Sequence, residues 1–255
     1  MNNSLEAARE CLQRSQDIVF FGGAGVSTAS GIPDFRSATG LYNQMTGSRY
    51  TPEMMLSHEF FIRHPDEFYV FLRSSLYYPN AKPNAAHYAL ADMEKQGKLD
   101  AVITQNIDEL HQQAGSKVVH ELHGSLKRFY CSRCHHPYPA RKVYTQDTTP
   151  HCEVCSGLVR PDVVLYGEPL DPEVFNASIA AVRKADCLIV GGSSLVVYPA
   201  AGLLDYFRGG CLILINRDGT PYDHQAQFVF HGDVGEVLSA ISPVYSFPTL
   251  NIPYH

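Results

Sequence analysis

The chain has no apolar run approaching the ~18 residues that a membrane span requires. It shows no secretory leader: the start, MNNSLEAARECLQRSQ, is polar and helix-like rather than basic and then apolar. Basic charge is in deficit. Against 26 Asp+Glu there are 20 Lys+Arg, a formal net charge of -6, which argues against nucleic acid as a main partner. No internal repeat or low-complexity tract interrupts the chain. Cysteine is sparse and odd in number, seven in all, which argues against a disulfide framework. Without a leader, that count points to a reducing compartment, and to metal or free thiols. A cytoplasmic protein, off the membrane and monomeric, is the expectation. With 255 residues, 45% of them hydrophobic, the chain can bury a full core. One large domain carrying a smaller module fits that length.

Apolar runs alternate with helical patterns. Asp17 to Phe21, Leu99 to Thr104, Cys187 to Val190 and Cys211 to Ile215 are continuous rather than alternating. Such runs predict parallel strands covered on both faces. Helices are expected over Ser4 to Arg14, Pro65 to Tyr78, Ala85 to Lys95 with Asn84 as N-cap, Pro172 to Lys184, and Val234 to Ile241. The alternation predicts an α/β, doubly wound parallel sheet with ligands at the C-terminal strand ends. From about Lys127 to Arg160 the pattern breaks into short polar stretches with four cysteines, and reads as an inserted module.

The first strand exits into Gly22-Gly23-Ala24-Gly25-Val26-Ser27. Glycines let backbone approach phosphate oxygens, and free N–H groups at a helix start attract anions. Thr28 stands where the dinucleotide fingerprint has its third glycine, so the plainer alternative is a tight turn with no ligand. The loop Ser30 to Ser37 adds an acid, an aromatic and a base: Asp34, Phe35 and Arg36. The second exit carries Gln105, Asn106, Ile107 and Asp108, polar groups where such folds place ligand contacts, or caps of the next helix. His123, before Gly124, can serve as a general base near neutral pH. His120 and His123 are three residues apart, not the four of a zincin helix, so a metalloprotease is rejected.

Cys131, Cys134, Cys152 and Cys155 form two CxxC pairs, the spacing of a closed, structural Cys₄ zinc site. Cys11, Cys187 and Cys211 lie in helix or strand runs and are expected to be core thiols.

Together these stretches resemble the sirtuins, NAD-dependent protein-lysine deacylases. The likeness runs from Gly23–Ser27 and Ser30–Arg36 through Thr104–Asp108, Leu110-His111 and His123-Gly124. It continues through the paired CxxC, Arg160–Glu168, Gly192–Gly202 and Ile215-Asn216. The resemblance implies a Rossmann-like NAD-binding domain over 1–37, 81–126 and 161–255. It implies a small domain made of a helical insertion over 38–80 and a zinc module over 127–160. It implies NAD as co-substrate, structural zinc, and an acyl-lysine protein or peptide as partner. The products would be free lysine, nicotinamide and O-acyl-ADP-ribose.

By the same resemblance His123 is the general base, and Asn106 and Asp108 join it in catalysis. Gly23, Ala24, Gly25, Ser27, Asp34, Phe35, Arg36, Gln105, Asn106, Ile107, Asp108, Gly192, Ser193, Ser194 and Asn216 bind the cofactor. Val163, Val164, Leu165, Tyr166, Gly167, Glu168 and Val196 bind the substrate, the first six as an added strand. Gly22 and Ser193 replace the family's usual Thr. Relatives that remove succinyl or malonyl groups carry a Tyr and an Arg three residues apart. Here Tyr69 is present, but Leu72 takes the arginine's place and Arg73 lies about 100° around the helix. A neutral acyl group such as acetyl is therefore expected. The alternatives are a protein ADP-ribosyltransferase and a non-catalytic NAD-responsive module.

Overall fold

The computed structural model describes residues 2–35, 40–44 and 49–242. Arg36 and the tail from Ser246 to His255 lie outside them. In chain order the strands are β1 (Ile18–Gly22), β2 (Leu99–Thr104), β3 (Val119–Glu121), β4 (Gly124–Cys131), β5 (Pro137–Tyr138), β6 (Val159–Val163), β7 (Cys187–Gly191), β8 (Cys211–Asn216) and β9 (Phe228–His231). The helices are α1 (Asn2–Arg14), α2 (Leu41–Gln44), α3 (Pro52–Met55), α4 (His58–Arg63), α5 (Pro65–Phe71), α6 (Ala85–Lys95), α7 (Leu110–Ala114), α8 (Ala140–Thr145), α9 (Pro172–Lys184) and α10 (Val234–Ile241).

The continuous apolar runs become the middle of a six-stranded parallel sheet, in the order β3-β2-β1-β7-β8-β9. Successive side chains leave a strand on opposite faces. Ile18 and Phe20 of β1 therefore pack with α1, α6 and α10. Val19 and Phe21 pack with α9 and the 3₁₀ turn Ala200–Tyr206. Both faces are covered, which is why these strands show no polar alternation. The strand order reverses between β1 and β7, and in doubly wound sheets the ligand crevice lies at that point.

The expected helix ends hold at α6 and α9. Asn84 Oδ1 accepts from Ala86 N at 2.9 Å, and His87 Nδ1 accepts from Asn84 N at 3.2 Å. The helix expected over Pro65 to Tyr78 is shorter. It ends at Phe71 and widens into a π turn, Leu72–Leu76, which brings Ser75 and Leu76 to the wall of the main cavity. The strand Phe228–His231 was not expected: it is an edge strand, only partly buried, and lacks a continuous apolar signature.

A second, three-stranded sheet is built by the inserted residues together with 124–126 and 161–163, which were expected in the large domain. β4 pairs antiparallel with β5 and β6, and their apolar side joins α4 and α5 in a third core around Phe61, Phe68, Tyr69 and Phe129. The small sheet runs from Gly124 to Val163, so its ends carry the segments next to His123 and the expected peptide strand.

One expectation is corrected. Cys11 and Cys211 are not separate core thiols but a disulfide, with Cα atoms 6.7 Å apart and 200 residues between them in sequence. α1 shares a core with β8, which brings Cys11 over the strand's first residue. Residues that far apart in sequence give no local sign of pairing. Cys187 is an unpaired buried thiol, and burial pushes it up to about 12.

Candidate active site

A cavity of about 420 Å³ opens where β1 and β7 diverge and extends between the two sheets. One wall is built from two glycine turns in contact. Gly23 N donates to Gly191 O at 3.1 Å, and Gly25 N donates to Gly192 O at 2.8 Å. A Cβ at Gly25 would meet Gly192 Cα at 2.6 Å. One at Gly192, where φ is +61°, would meet Val26 N at 2.4 Å. Only glycine lets these backbones approach so closely. Gly23 shapes the turn without lining the cavity, whereas Ala24, Gly25 and Ser27 line it. Two 3₁₀ turns, Ala24–Val26 and Thr28–Ser30, follow the strand instead of a regular helix. Gly22 also has a local reason: a Cβ there would meet the Phe20 ring at 2.6 Å.

The second strand exit supplies a buried polar chain. Asn106 Nδ2 donates to Ser27 Oγ at 3.0 Å, and Ser27 donates on to Asp108 Oδ2 at 2.6 Å. Asp108 Oδ1 accepts from Leu110 N at 2.9 Å. Burial raises the Asp108 carboxyl above its ordinary range, opposed by the hydrogen bonds from Ser27 and Leu110. Gln105 faces the cavity with its Nε2 buried and without a protein partner among the described residues. An unsatisfied buried donor in a crevice fits a ligand acceptor.

His123 Nδ1 lies 2.9 Å from Gln105 O. A carbonyl only accepts, so Nδ1 carries the proton and Nε2 is left with its lone pair. Burial lowers the His123 pKa, opposed by the bond to Gln105, and so favours the neutral ring.

Asp34, Phe35, Ile107, Ser193, Ser194 and Asn216 all line the cavity, as do all six residues from Val163 to Glu168. Besides Gly23, two expected residues do not join them: Val196 is exposed outside the wall, and Arg36 lies outside the described residues. β6 ends at Val163, and Tyr166 N and O are already bonded to Leu56 O and His58 N. The edge open to an added peptide strand is therefore shorter than Val163 to Glu168.

Tyr69 and Leu72 are fully buried in the small-domain core and do not reach the cavity. Tyr69 donates to Val159 O at 2.6 Å. Arg73 points elsewhere, as its helical offset implied, and donates to Val143 O at 2.8 Å. The cavity wall nearby comes from Leu76, Tyr77, Tyr78 and Tyr144, with Tyr77 and Tyr144 stacked 3.6 Å apart. The sequence reading missed these. Leu76 ends the π turn and Tyr77 and Tyr78 follow it, where helical spacing stops being a guide, while Tyr144 comes from α8. Val197, Tyr198 and Arg217 were missed too, although they adjoin expected positions.

The four CxxC sulfurs lie within 4.8 Å of one another. Cys131 and Cys155 Sγ are 3.5 Å apart, and Cys134 and Cys152 Sγ 3.7 Å. Tetrahedral zinc with Zn–S near 2.3 Å would put its sulfurs about 3.8 Å apart. A soft, all-thiolate donor set at that spacing fits zinc with no open position.

Residues 23–199 match the model of the Sir2 family. The chain is similar to an NAD-dependent protein deacetylase of Clostridium perfringens, 53% identical over 94% of this chain and 99% of the relative. Two solved structures resemble it at 40% identity, each over 93% of this chain. A Sir2 complex with a deacetylated p53 peptide and 3'-O-acetyl ADP ribose has a TM-score of 0.85 and is covered over 97%. A Sir2 complex with a p53 peptide and NAD+ has a TM-score of 0.83 and is covered over 96%. The glycine cradle, the buried Asn106–Ser27–Asp108 chain, the oriented His123 and the four-thiol cluster thus sit in a fold shared along the chain, and the chain belongs to the Sir2 family.

Proposed function

We propose that this chain removes neutral acyl groups, acetyl first, from protein lysines at the expense of NAD. The observation that carries the reading is His123: its Nδ1 is committed to Gln105 O, so Nε2 is a base at the wall of the cavity that Asn106 and Asp108 also line. NAD, when bound, would supply an electrophilic ribose carbon, and with water as the second co-substrate the products are nicotinamide, free lysine and O-acyl-ADP-ribose.

The chain's residues divide the work. Gly25 and Gly192 give phosphates close access to backbone, and Ser193 and Ser194 offer hydroxyls beside them. Gln105 Nε2 and Asn216 are suited to ribose or phosphate oxygens. Phe35 covers the ring side of the cavity, and Asn106 with Asp108 orients the nicotinamide amide. His123 Nε2 takes a ribose hydroxyl proton. Val164, through its carbonyl, and Gly167 pair with the substrate backbone, because Leu165 N and O are both bonded to Glu168, and Glu168 holds that loop through Arg160, with bonds of 2.7 and 2.8 Å. Asp34, Ile107, Gly23, Ala24, Ser27 and Val163 complete the walls and turns. The four cysteines would hold a zinc that stabilises the small domain without entering the chemistry.

The acyl end of the cavity is lined by Leu56, Ile107, Leu126, Val163 and Leu165, which favours an uncharged chain. Arg73, one position beyond the place where succinyl-removing relatives carry their arginine, does not line the cavity and donates to backbone carbonyls. A monomer in the cytoplasm is part of this proposal. Among the described residues no helix is long and apolar enough to cross a membrane.

Product analysis tests the reading. With NAD and an acetyl-lysine peptide, nicotinamide, free-lysine peptide and O-acetyl-ADP-ribose should appear in equal amounts. ADP-ribosylated protein with the acetyl group retained would favour the transferase alternative. A higher kcat/KM on succinyl than on acetyl peptide would sink the neutral-acyl assignment.

A further inference from the structure

Three segments of the site meet away from the cavity on one guanidinium. Arg128 Nε donates to Asp162 Oδ2 at 2.7 Å, Nη1 to Glu109 Oε1 at 3.1 Å, and Nη2 to Glu121 Oε2 at 2.8 Å. Each acid is next to a site residue. Glu109 follows Asp108, Glu121 ends β3 two residues before His123, and Asp162 precedes Val163. Glu109 and Glu121 belong to the large domain, whereas Arg128 and Asp162 belong to the small sheet.

The local geometry serves this contact. β4 and β6 lose register between Ser125 and Phe129, and Arg128 lies in that irregular stretch. A bulge re-aims side chains, here out of the antiparallel ladder and across to β3. The acids are themselves held: Ser125 Oγ donates to Glu109 Oε1 at 2.5 Å, and Gln112 Nε2 to Glu121 Oε1 at 2.9 Å. His123 O in turn accepts from Val164 N at 3.0 Å, so the base and the peptide segment already share a backbone bond.

We propose that Arg128 is a positioning residue: it locks the nicotinamide side, the general base and the peptide segment into one geometry across the domain boundary. The proposal rests on the deacylase reading of the site. Arg128 is about half exposed, with side-chain relative exposure of 47%. Ion pairs that exposed add little to global stability, so its contribution is to geometry. Lys cannot replace it, because a single ammonium lacks the planar fork that meets three carboxylates at once. Without the cation, Glu109, Glu121 and Asp162 would face one another as like charges.

Arg128→Lys and Arg128→Gln test this, with Arg63→Gln, an exposed helix arginine paired only with Glu59, as the control. Both Arg128 variants should raise the KM for acetyl-lysine peptide and lower kcat, with kcat/KM down about 10- to 100-fold. Tm should hold in Arg128→Lys, which keeps the cation, and the control should match wild type throughout. Amide hydrogen exchange, which needs no turnover, should quicken together at 121–125 and 162–166 in Arg128→Gln. Wild-type kinetics in Arg128→Lys, or faster exchange confined to 127–129, would overturn the proposal. A wild-type chain that does not deacylate would overturn the functional reading instead, with the exchange result still deciding the role of Arg128.

Discussion

The imidazole of His123 is held by the backbone of Gln105, Nδ1 to O at 2.9 Å, so one residue of the second strand exit sets the tautomer of a base 18 positions later. The same exit carries Asn106 and Asp108. In the proposed function the loop that forms the nicotinamide side therefore also orients the base, and a disturbance of that loop should reach both.

The first prediction concerns pH. Burial depresses the His123 pKa below its ordinary value of about 6.5, so the neutral base persists into mild acid. The acid limb of kcat/KM should fall below that value, with activity rising through the limb and flat by neutral pH. A limb above pH 7 would contradict the burial argument.

Much of this site could be read from sequence because its parts are local. The strand exits at Gly23–Ser27 and Gln105–Asp108 combine residues with backbone constraints, and the CxxC spacing states its own geometry. Relations between distant segments left no such trace. Cys11 and Cys211 pair across 200 residues. Tyr77 and Tyr144 stack from separate insertions, and the register slip in β4 depends on its partner β6. The family resemblance matches Tyr69 and Leu72 to the acyl-pocket pair, but packing against Phe61 and Phe68 holds Tyr69 in the core.

Ser27 is the middle of the buried polar chain, so Ser27→Ala strands Asn106 Nδ2 and Asp108 Oδ2 together. Leaving buried polar groups unpaired costs about 1–3 kcal/mol. Denaturant unfolding should show a loss in that range, and nicotinamide inhibition should weaken. Unchanged stability and unchanged inhibition would show that the chain Asn106–Ser27–Asp108 is not a unit.

The purified chain should carry zinc, and Cys134→Ser should lose it, because the remaining three thiols no longer close the site. Near-ultraviolet circular dichroism should report a loosened small domain and peptide binding should fall. Full metal content in that variant would refute the four-cysteine assignment.

His87 and His111 pack with ring centroids 4.7 Å apart inside the large domain. Burial lowers His87 to about 4 and His111 well below its ordinary value. The unfolded chain takes up these protons first, so stability is complete above about pH 6.5 and declines as pH falls toward 4. His87 alone accounts for about 3 kcal/mol over that window. Unfolding free energies at pH 7.5 and pH 5 should differ by about 2 kcal/mol through His87, and His87→Gln should reduce the difference to the part that His111 carries. A slope unchanged by His87→Gln would place the acid sensitivity elsewhere.

The most direct test of the central claim is His123→Ala, assayed for both turnover and NAD binding. A general base is worth about 10²- to 10⁴-fold in rate. The account predicts a loss of that size in kcat on acetyl-lysine peptide with NAD affinity retained, since the glycine cradle and the Ser27 chain do not touch the imidazole. Near-full turnover in this variant would contradict the assignment of His123 as the base.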